Sequence, residues 1–305
     1  MSSQIRTKTV ALMLSALTAT LVCCGLSVPA QAQDNRQIPG YQGNAQSRED
    51  NKQGKNWSFV LGTGLGVGPL TAGSDDTELF VLPVFNITYR DFLYIDALDG
   101  IGVSLISTER TFLSIDANVA TSRSADEDNN NFLNDADFER FAGLGDLDGD
   151  VALEVYASHV LFDVVEASIS ATREFGNVNG WQVTAGLASG IPLSDSLFIG
   201  AEVSATWMSS NYARAFFGVS QAQADQRRAI AVLDARLQTY DVFEVGAGLS
   251  DVTIGVGIFK TFGRRDQFFA TLEAGYSFAL GDARVSPVTE RTSIPGGTFT
   301  IGWQF

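Results

Sequence analysis

Cysteine is nearly absent. The two in 305 residues, Cys23 and Cys24, are adjacent and close to the start. Basic charge is scarce as well: 20 Lys and Arg stand against 35 Asp and Glu, giving a net charge of −15 and a pI of 4.4. Phosphate contacts need clustered Lys and Arg, so nucleic acid is excluded as a partner. Charged residues of both signs reach only 18%, against about 25% in soluble domains. Histidine occurs once, at His159. No run after the N-terminus reaches the roughly 18 apolar residues of a membrane-spanning helix. What is abundant is apolar surface, 45% of residues, with 30 Gly and 21 Phe. That content excludes general disorder. An apolar, glycine-rich and acidic chain points to β-structure whose apolar side need not face a protein core.

The first 32 residues read as a cleaved Sec-type export signal. Arg6 and Lys8 form a positive start, Val10 to Val22 an apolar stretch, and Ala30-Gln31-Ala32 a small-residue cleavage site. Val22 and Cys23 occupy the places before Cys24 where a lipidation site needs a small residue. The mature chain is expected to begin at Gln33 without thiols. It then keeps 18 basic and 35 acidic residues, a charge of −17. Residues 33–56 are rich in Gln, Asn, Gly and charge, with Ile38 the only large aliphatic side chain, and read as a flexible polar lead-in.

From Trp57 onward the pattern has period 2. Trp57, Phe59, Leu61, Leu65 and Val67 alternate with Ser58, Gly62, Gly64 and Gly66, and similar runs recur to Phe299, Ile301, Trp303 and Phe305. Such strands have one apolar face and one polar or tiny face. In a soluble sandwich the polar face meets water; in an outer-membrane barrel it lines the lumen and the apolar face meets lipid. The small or singly charged polar-face residues, among them Glu154, Glu166, Glu202, Glu244 and Glu273, suit a narrow wet interior. Strands of roughly 9–12 residues match the length that crosses a bilayer at a tilt. The expected fold is therefore all-β: an antiparallel transmembrane outer-membrane β-barrel over 57–305, with about 12 strands in a range of 10 to 14. The twelve run 57–68, 79–90, 92–106, 111–121, 150–161, 163–173, 181–191, 197–208, 240–250, 252–262, 267–279 and 297–305. Ile199 falls outward at mid-membrane depth and Gly200 inward. This numbering makes the long connections 122–149 and 209–239 follow even-numbered strands, on the periplasmic side with the termini.

Candidate chemistry is thin. His159 would have to serve any Ser-His-Asp site, yet no serine elbow accompanies it; a lumen or rim position is the blander account. Asp146-Leu147-Asp148-Gly149-Asp150 alternates carboxylates as calcium loops do, but its glycine comes fourth where an EF-hand needs it sixth, so a solvated acidic loop is expected. Gly62-Thr63-Gly64-Leu65-Gly66 lies on a strand with no helix after it and fails as a nucleotide loop. No catalytic, metal or cofactor residue is assigned.

Several segments in order resemble one family. They are Gly143-Leu144-Gly145-Asp146, then Asn211 to Ser220 with Tyr212, Phe216, Phe217 and Gly218, followed by Gly246-Ala247-Gly248-Leu249 and Gly281-Asp282-Ala283 with Ser286-Pro287. Together with Leu82-Pro83 and Asp99-Gly100-Ile101-Gly102, they look like the MltA-interacting protein (MipA/OmpV) family over residues 57–305. The chain ends Trp303-Gln304-Phe305 where the family pattern has Tyr-Arg-Phe, and the aromatic end resembles the signal read by the barrel-assembly machinery. The resemblance implies a Gram-negative outer-membrane barrel, embedded in outer-membrane lipid, that acts as a non-catalytic scaffold joining a lytic transglycosylase to a murein synthase. The alternative is a small-solute channel or a passive, surface-exposed barrel. A hydrolase would have to rest on His159. The second long connection, with Tyr212, Phe216 and Phe217 near Arg227-Arg228, has the makings of an interface, or of a plug inside the lumen.

Overall fold

In the computed structural model the described residues are 56–69, 73–97, 99–120, 123–124, 138–147, 149–264 and 266–305. The expected signal, 1–32, and all but the last residue of the polar stretch 33–56 lie outside them.

Twelve antiparallel strands close into a barrel, each paired with its sequence neighbours and the first with the last. They are β1 Trp57–Pro69, β2 Thr77–Tyr89, β3 Leu93–Asp96, β4 Gly100–Ser107, β5 Thr111–Val119 and β6 Val151–Leu161, then β7 Val165–Glu174, β8 Trp181–Ser194, β9 Leu197–Met208, β10 Gly248–Phe262, β11 Phe268–Ala279 and β12 Ser293–Gln304. Closure leaves no strand edge unpaired, which a lipid environment requires. The seam runs from Val60↔Gln304 to Val67↔Gly297. Beyond it Phe59 and Phe305 exchange N–H···O bonds of 3.0 Å in both directions.

The alternation sorts the faces. On β1, Trp57, Leu61, Leu65 and Val67 are exposed on the outside, while Ser58, Val60, Gly64 and Gly66 are buried. Exposed Leu, Ile and Val recur around the outer wall, including Leu79, Ile115, Val155, Leu187, Val203, Val256, Leu272 and Ile301. This is an apolar band built to meet lipid. Aromatic girdles flank it. At one end Trp57 packs on Tyr89 at 4.7 Å, Phe262 on Phe268 at 5.7 Å, and Trp303 on Phe305 at 4.2 Å. At the other end stand Trp181, Trp207, Tyr276 and Phe278.

The two ends differ sharply. One has both ends of the barrel chain and the short turns 90–92, 108–110, 162–164, 195–196 and 263–267. Two of these turns, at Arg90-Asp91 and Phe162-Asp163, have positive φ at both residues, the geometry that matches strand twist in a two-residue hairpin. The opposite end carries every long connection, including 120–150 and 209–247. Outer-membrane barrels keep short turns periplasmic and long loops outside. The long segments therefore face outward, away from the termini.

Several sequence expectations need correction. The expected strand 92–106 is a hairpin, β3 and β4, and the expected strands 240–250 and 252–262 reduce to one, β10, which starts only at Gly248 and has a register shift between Leu249 and Asp251. The two slips cancel in the count but move both long connections onto odd-numbered strands, β5 and β9, so they lie outside rather than in the periplasm. Glu244 is not a lumen residue, since it sits exposed in the irregular segment before β10. Ile199 does face outward, but it is the third residue of β9, beside the short turn 195–196, so mid-membrane depth falls nearer Val203.

Candidate functional site: a cap over the outer mouth

The long connections fold together. Helix α1 Phe138–Phe141 comes from the first, α2 Ser210–Phe217 and α3 Gln221–Ala231 from the second, and α4 Gly281–Val285 from the last. Local chemistry starts them: the Ser209 hydroxyl accepts from the Tyr212 N–H, and Ser220 and Gln223 form a reciprocal capping box. The Ser209 hydroxyl also accepts from the Trp181 N–H at 2.9 Å, tying the start of α2 to the barrel rim.

Two apolar clusters hold the cap. One joins Tyr212, Ala213 and Phe217 to Val178, Met208, Val245 and Ala283, with Phe216 packed against it and stacked on Tyr212 at 4.8 Å. The other joins Phe141, Leu144, Val219, Ala224, Tyr240 and Val288. Because Met208 ends β9, the first cluster seats the cap on the mouth of the barrel. Three arginines are buried within the cap. Arg227, 1% exposed, donates to the backbone oxygens of Gln238 at 2.7 Å, Ala142 at 3.0 Å and Glu139, and lies over the Tyr240 ring at 4.6 Å. Arg140 donates to the Val288 oxygen at 2.6 Å. The Arg123 guanidinium stacks over Phe141 at 4.9 Å. Burial, with Arg140 nearby and Asp146 partly offsetting both, pushes it down to about 10.

Several of the residues singled out in the sequence pack or turn the chain within the cap. Gly143, at φ +82, lets the chain pass Arg227, whose Cα would stand 2.9 Å from an added Cβ. Gly145 is also left-handed, and exposed Asp146 acts electrostatically on Arg123. An added Cβ on Gly218, the C-cap of α2, would meet the Arg214 oxygen at 2.7 Å. Ser286 is buried and donates to the Phe217 oxygen at 2.6 Å, with Pro287 beside it. Trp303 and Phe305 lie apart from this group, in the girdle at the periplasmic end. Asp148 is outside the described residues, and among those residues no group of three carboxylate, cysteine or histidine ligands is placed to hold a metal. His159 faces outward rather than into the lumen, at the rim beside the β6–β7 turn, and its Nδ1 is 2.8 Å from the hydroxyl of Thr111, the first residue of β5.

Below the cap, the strand register turns nine carboxylates inward: Glu78 near the mouth, then Asp96, Asp116, Glu154, Glu166, Glu174, Glu202, Asp251 and Glu273. No Lys, Arg or His faces inward from the described strands. Hydroxyls serve the acids: Thr172 donates to Glu154 at 2.9 Å, Thr298 to Glu273 at 3.2 Å and Ser114 to Asp116 at 2.9 Å. Glu154, Glu166, Glu202 and Glu273 remain partly accessible, so the lumen holds room for water. Aromatics narrow it, with Tyr94, Phe112 and Tyr156 clustered together and Phe259 stacked on Phe269.

The family described as MltA-interacting protein MipA matches residues 61–305. The chain belongs to this family. No curated relative matches it. Among solved structures, the KdgM porin shares 6% identity over 81% of this chain and 99% of that one, with a TM-score of 0.37. OmpT of Vibrio cholerae shares 7% over 82% and 97%, with a TM-score of 0.36. The N-terminal barrel domain of Pseudomonas aeruginosa OprF shares 9% over 82% and 98%, with a TM-score of 0.25. The family segments named in the sequence map largely onto the cap.

Sequence reading missed the structural roles of Arg123 and Arg140 and the helices. It read Arg227 as an interface residue, whereas Arg227, Tyr212 and Phe217 are buried inside the cap. The signal for α3 was present as Ser220-x-x-Gln223. Nothing local marked Arg140 or the structural role of Arg227, whose carbonyl partners are 148 and 85–88 residues distant for the long-range bonds.

Proposed function

We propose that this chain is a non-catalytic outer-membrane scaffold that holds a lytic transglycosylase and a murein synthase on the murein side of the membrane. The observation that carries this reading is the family match over residues 61–305, since the family's description names MltA, a lytic transglycosylase, as partner. On this reading the contact lies at the end with the short turns, because α3 and the other long connections sit at the opposite end. Cross-linked envelope complexes test this. Capture of a lytic transglycosylase should survive deletion of 222–232 and fall when turns 90–92 and 162–164 are replaced together. Absence of capture by the intact protein refutes the scaffold; loss with the cap deletion alone refutes its location.

A second reading, passage of small solutes, is favoured by the water-accessible lumen. Nine inward carboxylates, with no inward cation among the described strands, select positive charge. In planar bilayers under a potassium chloride gradient the reversal potential should have the sign of cation selectivity. An anion-selective or silent barrel contradicts this reading.

A further inference from the structure

We propose that Arg173 and Arg214, on the lipid-facing side of the capped end, bind a phosphate on the headgroup of an outer-leaflet glycolipid. Arg173 sits one residue from the end of β7 and pairs with Leu153 and Trp181, both exposed on the outer wall, so it too points outward. Its guanidinium rests against Trp181 at 5.5 Å and Phe175 at 5.8 Å, at the level of the outer aromatic girdle. That is the depth at which headgroups meet acyl chains.

Two asparagines join the arginines. Arg173 donates to the Asn179 side chain, the Asn211 amide donates to the Asn179 backbone oxygen at 3.1 Å, and Arg214 donates to the Asn211 side chain at 2.7 Å. Arg214 also donates to the Ser210 oxygen at 3.1 Å. All these acceptors are neutral. The ion pairs among the described residues involve other arginines, namely Arg110, Arg228 and Arg236. The carboxylates of the adjoining loop are engaged elsewhere, with Asp150 accepting from the Asn177 N–H at 2.8 Å and Glu174 facing inward.

A guanidinium carries five N–H donors. The bonds above use one on Arg173 and two on Arg214, so each fork keeps donors for a further acceptor. Two oriented arginines without a carboxylate partner among the described residues, Arg173 flanked by aromatic rings, suit a tetrahedral phosphate, which they can grip through two N–H groups each. In a chain of charge −15 such a pair at the membrane surface is conspicuous. Its depth selects a phosphate attached to lipid. The assignment does not depend on the scaffold reading; it depends on the capped end facing outward.

Purified full-length protein in detergent tests the site by native mass spectrometry with bis-phosphorylated lipid A, dephosphorylated lipid A and inorganic phosphate as probes. The intact protein should retain the phosphorylated lipid. Arg214→Gln, on an exposed helix face, should weaken retention several-fold, and Arg173→Gln with Arg214→Gln should weaken it at least tenfold. Lys260→Gln, on the outer wall at the other end of the barrel, should change nothing. Heat-modifiable migration confirms that each variant is folded. Equal retention by the double variant, equal binding of dephosphorylated lipid, or competition by inorganic phosphate at comparable concentration would each overturn the proposal.

Discussion

Replacing Arg227 with Ala should loosen the cap and leave the barrel intact. The side chain is 1% exposed and supplies three hydrogen bonds to backbone oxygens of Glu139, Ala142 and Gln238. Bonds from a charged donor contribute about 1.5–3 kcal/mol each, and the Tyr240 contact at 4.6 Å adds about 0.5–2 kcal/mol. These terms do not simply add, because water entering the vacated space re-solvates part of the exposed carbonyl surface. A net loss of about 3–4 kcal/mol is expected, at the upper end for single substitutions. At about 1.4 kcal/mol per tenfold, that lowers amide protection in the cap by more than two decades. Hydrogen exchange should show it at Val219 and Phe243, whose mutual bonds of 2.9 and 3.0 Å close the base of α2 and α3. Protection along β8 to β11 should stay unchanged, since local opening need not propagate into a closed ladder. A change below tenfold at Val219, or equal losses in barrel strands, would refute the idea of a separately packed cap.

Other substitutions probe the wall and the cap backbone. Val203→Arg places a charge mid-strand on the lipid face and should cost about 2–4 kcal/mol, with Ile199→Arg milder near the interface and Gly200→Ser, on the inner face, milder still; urea titration in lipid vesicles ranks the three. Gly143→Ala forces an alanine to φ +82 with its Cβ 2.9 Å from the Arg227 Cα, so cap amides should lose about tenfold in protection or more.

Much of the fold was legible because lipid imposes an alternation on strands, which Phe299 to Phe305 display without interruption and Trp57 to Val67 display with Thr63 the polar exception on the outer face. The two strand errors have physical causes. Leu93, Ile95, Ile101 and Val103 keep one parity through β3 and β4, hiding a turn that Asp99-Gly100, with φ +76 at Gly100, announces on closer reading. Phe243 and Val245 alternate like a strand because one face of that segment packs into the cap cluster. The cap residues were legible as a family pattern but not as a packed unit. Their partners come from four connections, and contacts such as Ser286 to Phe217 or Gln223 to Leu144 leave no periodic trace. The Arg173 site was illegible for a related reason, since Arg173, Asn179, Asn211 and Arg214 meet only after β7, β8 and α2 are in place.

Cysteine accessibility on intact cells tests most directly that a closed twelve-strand barrel carries its cap outside and its short turns within the periplasm. Ala229→Cys lies exposed on α3, and Phe162→Cys occupies a turn tip that is 88% exposed. A membrane-impermeant maleimide should label position 229 on intact cells and position 162 only after the outer membrane is permeabilised. Labelling at 162 but not at 229 before permeabilisation would contradict the topology, and with it the placement of the cap and of the lipid phosphate site.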